Sequence, residues 1–401
     1  MKQVKKIPLF LYGMFLLLCN ASVFWGIKWG NQIAIIFIIV SVGIVFVKKR
    51  IYLPNLKKSA FIAGLFLLVN LLNIRSGVNW FSATLFIGEI IAISIVQSYI
   101  NPKELHKVLA NCMLIISIVS LVSFFIRETN SALLNPFIYR EAIHGSKYKY
   151  VYTIWHTFGW NVDFHRNAGP YWEAGMFACY LAIALAIVEF EDGIFENEKK
   201  RFFAKSILIA TILSTLSTTG YLSIILYFII LVIRIPNIGK KNICKKLLLG
   251  VAVIFIASIV FNTSVVQDKL FTTNSSMTKR TEDIVGGLKL IKENPILGLG
   301  FRSDLSRKLE IVYGSGNSAN GLIQGCYRMG LLVFTILLYS YYKGLTVVMN
   351  KKNAGLTFLL LMFLFASEPM QIFLVVLSLA FLREEKKKDK QEELERNLDV
   401  Q

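Results

Sequence analysis

Acidic residues are scarce in this 401-residue chain: 25 Asp and Glu stand against 44 Lys and Arg, giving a formal net charge of +19. In a soluble protein such an imbalance would point to nucleic acid. Here the basic residues gather mostly in short clusters between apolar runs, where loop orientation explains them, so nucleic acid is set aside as a partner. Cysteine is sparse too. Of Cys19, Cys112, Cys179, Cys244 and Cys326, four lie in apolar runs and one in a basic loop. Their spacing offers neither a metal site nor a disulfide framework, and they read as small hydrophobes. Three of the four histidines, His144, His156 and His165, share one loop, but intervals of twelve and nine are not those of a zinc site. No metal or cofactor is expected. The chain also lacks internal repeats, which weighs against a transporter.

What is abundant is apolar sequence, 55% of residues, with a mean hydropathy of +0.57. Runs near the ~20 residues needed to span a bilayer recur along the chain. The expected fold class is therefore all-α: a polytopic membrane protein forming a single transmembrane domain over 1–401, with no room for a large soluble domain. Twelve segments are predicted, at 7–25, 31–47, 59–75, 80–98, 108–126, 171–190, 204–217, 220–234, 247–262, 321–341, 355–366 and 369–382. The first could be a signal peptide, but no small-residue cleavage site follows cleanly, and an anchor helix is preferred. Basic clusters fall on alternate connections: Lys48-Lys49-Arg50, Lys199-Lys200-Arg201, Lys240-Lys241, Lys351-Lys352 and Lys386-Lys387-Lys388. By the positive-inside rule these are cytoplasmic, as are both termini. The charged tail 384–401 is expected to be solvated.

Two long loops, 127–170 and 263–320, then face outward. The pairs 204–217/220–234 and 355–366/369–382 look too short to span, since fourteen residues reach about 21 Å of a ~30 Å core. Either their turns, Thr218-Thr219 and Ser367-Glu368, sink below the outer surface beside a wet cavity, or the bilayer thins around them.

The most informative stretch is His165-Arg166-Asn167-Ala168-Gly169-Pro170-Tyr171-Trp172-Glu173-Ala174-Gly175. It sets a guanidinium, an imidazole and a carboxylate at the mouth of an apolar helix. Pro170 suits a helix's first turn, Glu173 its positive dipole end, and Tyr171 and Trp172 an aromatic belt. Two readings stand: an anion site with a carboxylate base, or a helix cap satisfied by an Arg–Glu pair. In the second loop, Thr278-Lys279-Arg280-Thr281-Glu282-Asp283 leads into an amphipathic stretch. Asn294-Pro295-Ile296-Leu297-Gly298-Leu299-Gly300-Phe301-Arg302 follows, and a polar entrance precedes the helix at 321. On that helix Gly321, Gln324 and Arg328 share one face, and an intramembrane arginine needs a partner or an anionic ligand. Glu89 reads as structural, and Glu368 as part of the cavity.

The order of R-x-x-G-x-x-x-E-x-G, the Ser/Thr-rich break Thr211–Tyr221, N-P-I-L-G-L-G-F and N-x-x-N-G resembles the Wzy-type polysaccharide polymerases of the O-antigen polymerase/ligase superfamily, over about residues 160–345. The resemblance implies a metal-independent membrane glycosyltransferase in the bacterial cytoplasmic membrane. It would move a glycan from undecaprenyl diphosphate onto a lipid-linked repeat unit at the outer face, with inversion, in O-antigen, capsule or exopolysaccharide synthesis. Implied partners are the lipid-linked oligosaccharide, the bilayer, a chain-length regulator and a flippase. On this reading Arg166, Arg280, Arg302 and Arg328 are candidates to hold the diphosphate. Glu173, then His165, would take the acceptor's proton, and Ser217, Thr218, Asn320, Gln324 and Glu368 would line the cavity. Ser217-Thr218-Thr219-Gly220 lacks the arginine of the ligase pattern, and Ala319 rather than histidine precedes Asn320, which favours polymerase. A ligase or a transporter remains the alternative.

Overall fold

The computed structural model describes residues 6–48, 52–130, 132–134, 138–143, 146–151, 166–236, 239–262, 267, 275–302, 304–305 and 320–383. Thirteen α-helices run through these residues: α1 (Lys6–Leu18), α2 (Trp29–Lys48), α3 (Leu53–Leu72), α4 (Trp80–Gln97), α5 (Pro102–Asn130), α6 (Ala174–Phe190), α7 (Glu198–Ser214), α8 (Thr218–Arg234), α9 (Lys240–Phe261), α10 (Ser275–Glu293), α11 (Gly321–Val348), α12 (Lys351–Ser367) and α13 (Leu374–Ala380). Between α5 and α6, β1 (Ile138–Ile143) and β2 (Ser146–Val151) form an antiparallel hairpin with Ile138 opposite Val151. Each of the twelve apolar runs contains a helix, and α10 carries the amphipathic stretch. Five helices, α2 to α5 and α11, are long and apolar enough to cross a membrane, and α1, α6 and α8 are shorter apolar helices. The chain is a helical, multi-pass membrane protein.

The core is built around α6, which packs on α5, α7, α8 and α12. Every residue of α6 except Gly175 is buried, as expected of a helix that is apolar all round. Its C-terminal end is heavily capped. Arg201 donates to the carbonyls of Val188, at 2.9 Å, and Glu189, and Asn353 donates to the Phe190 carbonyl at 3.0 Å. The Glu189 carboxylate accepts from Lys205 (2.9 Å), Arg234 (3.1 Å) and Tyr227 (3.0 Å). These cations satisfy carbonyls that a helix end leaves orphaned and match its negative dipole end.

The structure corrects several sequence expectations. The 7–25 run is not one helix: α1 ends at Leu18, and a π-helical turn spans Val23–Lys28. Ser22 offers the backbone competing hydrogen bonds there: its Oγ donates to Leu18 O at 2.6 Å and accepts from the amides of Trp25 and Gly26, while Asn20 Oδ1 accepts from the distant Leu374 amide at 2.7 Å. The short pairs are longer than their apolar cores. α7, α8 and α12 each have 17 residues, because charged starts such as Glu198–Arg201 are also helical. Only α13, with seven residues, is a half-length element. The break between α7 and α8 falls at Thr215-Leu216-Ser217, so Thr218 and Thr219 open α8 rather than forming the turn.

Candidate functional site

Arg166 to Glu173 is an irregular, largely buried strap leading into α6. Asn167, fully buried, holds it in place. Its Nδ2 donates to Ser214 Oγ (2.9 Å) and Ser120 Oγ (3.3 Å), and its Oδ1 accepts from the Gly169 amide (3.0 Å). On the other side the Val23 amide donates to Pro170 O (3.0 Å) and the Trp172 amide to Ala21 O (3.2 Å), so the strap is laced into the break after α1. Gly169 has φ +52°, and a Cβ there would lie 2.8 Å from the Phe177 ring. Pro170 therefore belongs to this turn, and α6 begins only at Ala174. Tyr171 is not a belt residue: it is fully buried and stacks on Tyr180 at 4.5 Å.

Arg166 is half-buried, and both Nε (3.0 Å) and Nη2 (2.6 Å) donate to the Leu216 carbonyl. Leu216 has φ +45°, the one non-glycine with positive φ among the described residues. A leucine in that region is strained by about 1–3 kcal/mol, and such strain persists only where its surroundings hold it. Arg166 holds it. Burial lowers the guanidinium from its ordinary value, while Glu173 and Tyr221 oppose that, so the Arg166–Glu173 relation read from the sequence is present as an electrostatic one. Glu173 itself is exposed. It occupies the N-cap position of α6 in extended conformation but makes no side-chain capping bond.

Glu368, in the turn between α12 and α13, is 5% exposed. A Cβ on Gly175, in the first turn of α6, would lie 2.8 Å from Glu368 Oε1 and 3.5 Å from Ser217 Oγ. Ser217 is the N-cap of α8, and it too makes no side-chain capping bond. A Cβ on Gly321, the first residue of α11, would lie 2.8 Å from the Glu368 carbonyl and against Gln371 Oε1. The starts of α6, α8 and α11 thus converge on one buried turn, and glycine at two of them permits the close approach. Asn320 caps α11 by accepting from the Ile323 amide at 3.1 Å. Gln324 accepts from Gln371 Nε2 at 2.9 Å. Two clefts formed by described residues are apolar and lie elsewhere, one between α2 and α4 and one beside Tyr180.

The second group of arginines sits around Phe301. The Asn294–Phe301 segment is a backbone brace for a broken helix. α11 kinks at Gly330, whose φ/ψ of 72°/161° is not helical. The amides of Leu299 and Gly300 donate to the freed carbonyls of Tyr327 and Arg328, both at 2.8 Å. The amides of Leu331 (2.8 Å) and Leu332 (3.1 Å) donate back to Pro295 and Ile296. The Arg302 guanidinium is engaged in a two-pronged pair with Asp304, at 2.9 and 2.6 Å. Arg328 lies over the Phe301 ring at 5.3 Å. The face shared by Gly321, Gln324 and Arg328 is therefore divided between two neighbours: the first two meet the α12–α13 turn and the third meets Phe301. Arg280 belongs to α10, which packs along α11. Glu89 is buried and makes no ion pair among the described residues. His165, like His144 and His156, lies outside the described residues.

Residues 203–338 match the family model for O-antigen ligase. The match covers about a third of the chain, from α7 into α11. It takes in Ser217, Thr218, Arg280, Arg302, Asn320, Gln324 and Arg328, and leaves out Arg166, Glu173 and Glu368. No curated protein matches the chain. The match agrees with the O-antigen polymerase/ligase superfamily suggested by the motifs and implies glycosyltransferase-like activity on a glycan. Sequence reasoning missed Asn167, Leu216 and Gln371. Only Pro369, which cannot donate to the Phe365 carbonyl and so ends α12, marked the turn that carries Gln371.

Proposed function

We propose that the protein is a polysaccharide polymerase of the cytoplasmic membrane, with twelve transmembrane segments, both termini inside and the strap, α10 and the α12–α13 turn at the outer face. The acceptor hydroxyl of a lipid-linked repeat unit attacks the anomeric carbon of the growing glycan. The C–O bond to undecaprenyl diphosphate breaks, the diphosphate leaves with the electron pair, and the configuration inverts. Glu173 takes the hydroxyl proton. The observation that carries this reading is the pairing of a held guanidinium, Arg166, with an exposed, uncapped carboxylate, Glu173, where three helix starts meet.

Arginine suits a departing diphosphate because it is permanently charged and can bind two oxygens at once. Fixed cations of this kind supply the electrostatic part of catalysis without a metal. Arg166 is the first candidate, with Arg280 and Arg328; Arg302 would join only if its pair with Asp304 opened. The absence of arginine from Ser217-Thr218-Thr219-Gly220 favours polymerase over ligase. A strain deleted for the gene decides between them. Accumulated single-repeat product supports polymerase, whereas long polymer left unattached to its acceptor would show a ligase. Normal long-chain polymer from Arg166→Ala and Glu173→Gln at matched protein levels would refute the site.

A further inference from the structure

Each helix start leaves backbone N–H groups that a side chain at the N-cap ordinarily satisfies. α3, α6, α8 and α13 start without such a bond, whereas α4, α7, α11 and α12 have one from an asparagine. At α6 the N-cap residue is Glu173, a carboxylate able to cap and well placed toward the positive dipole end. It does not, and stays exposed. The carboxylate against the first turn of α6 belongs instead to Glu368, from a turn almost two hundred residues away in sequence. Gly175 makes this approach possible, because a Cβ there would sit 2.8 Å from Glu368 Oε1.

We propose that Glu368 is a positioning residue: it supplies the negative charge that the start of α6 requires and so keeps Glu173 out of the capping position and free to face substrate. This rests on the reading of Glu173 as the proton acceptor. The alternative arrangement is close at hand, since Glu173 is two residues from Gly175. Without the Glu368 carboxylate, the N–H groups of the first turn would recruit Glu173, whose side chain would then be a cap. Glu368 also contacts the start of α11 through its carbonyl and shares Gly175 with Ser217, so the same group fixes the mutual placement of three helix starts. Among the described residues, Arg166 on the strap interacts electrostatically with Glu173 and with Tyr221 on α8, and Glu368 on the α12–α13 turn lies against the first turn of α6.

The test uses the full-length protein in proteoliposomes with purified lipid-linked repeat unit, measuring initial rates against pH for wild type, Glu368→Gln, Glu368→Ala and Glu173→Gln. The glutamine variant keeps the shape and one acceptor oxygen but loses the charge. With a neighbouring negative charge removed, the acid limb of the rate profile should move to lower pH. The shift should be roughly 0.3–1 pH unit. The alanine variant loses the cap. Its kcat should fall about tenfold or more while KM stays within about threefold, because substrate binding is retained and the acceptor of the proton is withdrawn. An unmoved acid limb in Glu368→Gln, or wild-type kcat in folded Glu368→Ala, overturns the proposal. If Glu368→Ala does not fold, the glutamine profile decides alone. Activity in Glu173→Gln would instead overturn the reading of the site; an inactive Glu173→Gln with a silent Glu368→Gln would overturn only this inference.

Discussion

Gly298→Ala offers a quantitative test of the brace that repairs the broken helix. Gly298 has φ +70°, and an added Cβ would meet the Gly330 amide nitrogen and lie 2.7 Å from the Met329 carbonyl carbon and 2.8 Å from the Arg328 carbonyl oxygen. All three are backbone atoms and cannot rotate away. Holding an alanine at that φ costs about 1–2 kcal/mol. Relieving the overlap means separating the two strands of backbone, which weakens some of the four amide–carbonyl bonds joining 295–300 to 327–332. Each is worth about 0.5–1.5 kcal/mol net, and more where no water can replace it. The sum is about 3–6 kcal/mol, a large share of the ~5–15 kcal/mol that holds a typical protein folded.

The assay is thermal unfolding in detergent followed by size-exclusion chromatography. The expected fall in midpoint is about 5 °C or more. Gly64→Ala is the control. Gly64 lies within α3 with nothing within 4 Å of an added Cβ, so alanine there should be neutral or stabilising by up to about 1 kcal/mol. If Gly298→Ala and Gly64→Ala melt together within a degree, the brace does not carry the kink and the reasoning fails.

Three further outcomes follow from the site and its scaffold. Arg166→Lys keeps the charge but cannot make both bonds to Leu216 O. Polymer synthesis in a complemented deletion strain should drop less than for Arg166→Ala, where loss of the diphosphate ligand should cost about 100-fold or more in rate. Asn167→Leu removes a fully buried amide and leaves the Gly169 amide without its acceptor, while the Ser120 and Ser214 hydroxyls keep their bonds to Ser117 O and Thr211 O. Stability should fall by about 2–4 kcal/mol, read as a lower melting midpoint and increased proteolysis between α5 and α6. Glu189→Ala strips the acceptor from Lys205, Arg234 and Tyr227. Because the two cations are 23% and 32% exposed, water screens part of the effect. The loss should be about 1–2 kcal/mol, with polymer synthesis retained where the protein accumulates.

Helix positions were legible in the sequence because an apolar run of bilayer length is a strong signal, and each of the twelve runs contains a helix. Their ends were less legible for a physical reason. Charged residues such as Lys351 and Lys352 extend a helix without extending its hydropathy, whereas Ser22 ends one inside an apolar run. In the site, the Arg166 and Glu173 spacing was readable because both lie on one continuous strap. The partnership of the Glu368 carboxylate with Gly175, and of the Asn294–Phe301 backbone with the Gly330 kink, was not, since each joins separate elements at a glycine, where no side-chain pattern announces the contact. The glycines of the Asn-Pro-Ile-Leu-Gly-Leu-Gly-Phe motif permit a tight backbone path. The structure shows what that path is for: Gly298 brings backbone against backbone at the Gly330 kink.

The two ends of α6 are built by opposite rules, and that contrast locates function better than any single residue does. At the C-terminal end every device that stabilises a helix terminus is in use: Arg201 and Asn353 on the carbonyls, and Lys205 and Arg234 on Glu189. At the N-terminal end the N-cap residue Glu173 makes no capping bond, a leucine is held at positive φ by an arginine, and the carboxylate of Glu368, from another turn, lies against Gly175. A sequence selected only for stability would let Glu173 cap its own helix, as Asn197, Asn320 and Asn350 do theirs. Departures from local consistency that cost stability gather where chemistry needs a group held ready. The rigid end fixes the helix axis, so that the irregular end can hold Arg166 and Glu173 at a constant separation while substrates exchange around them.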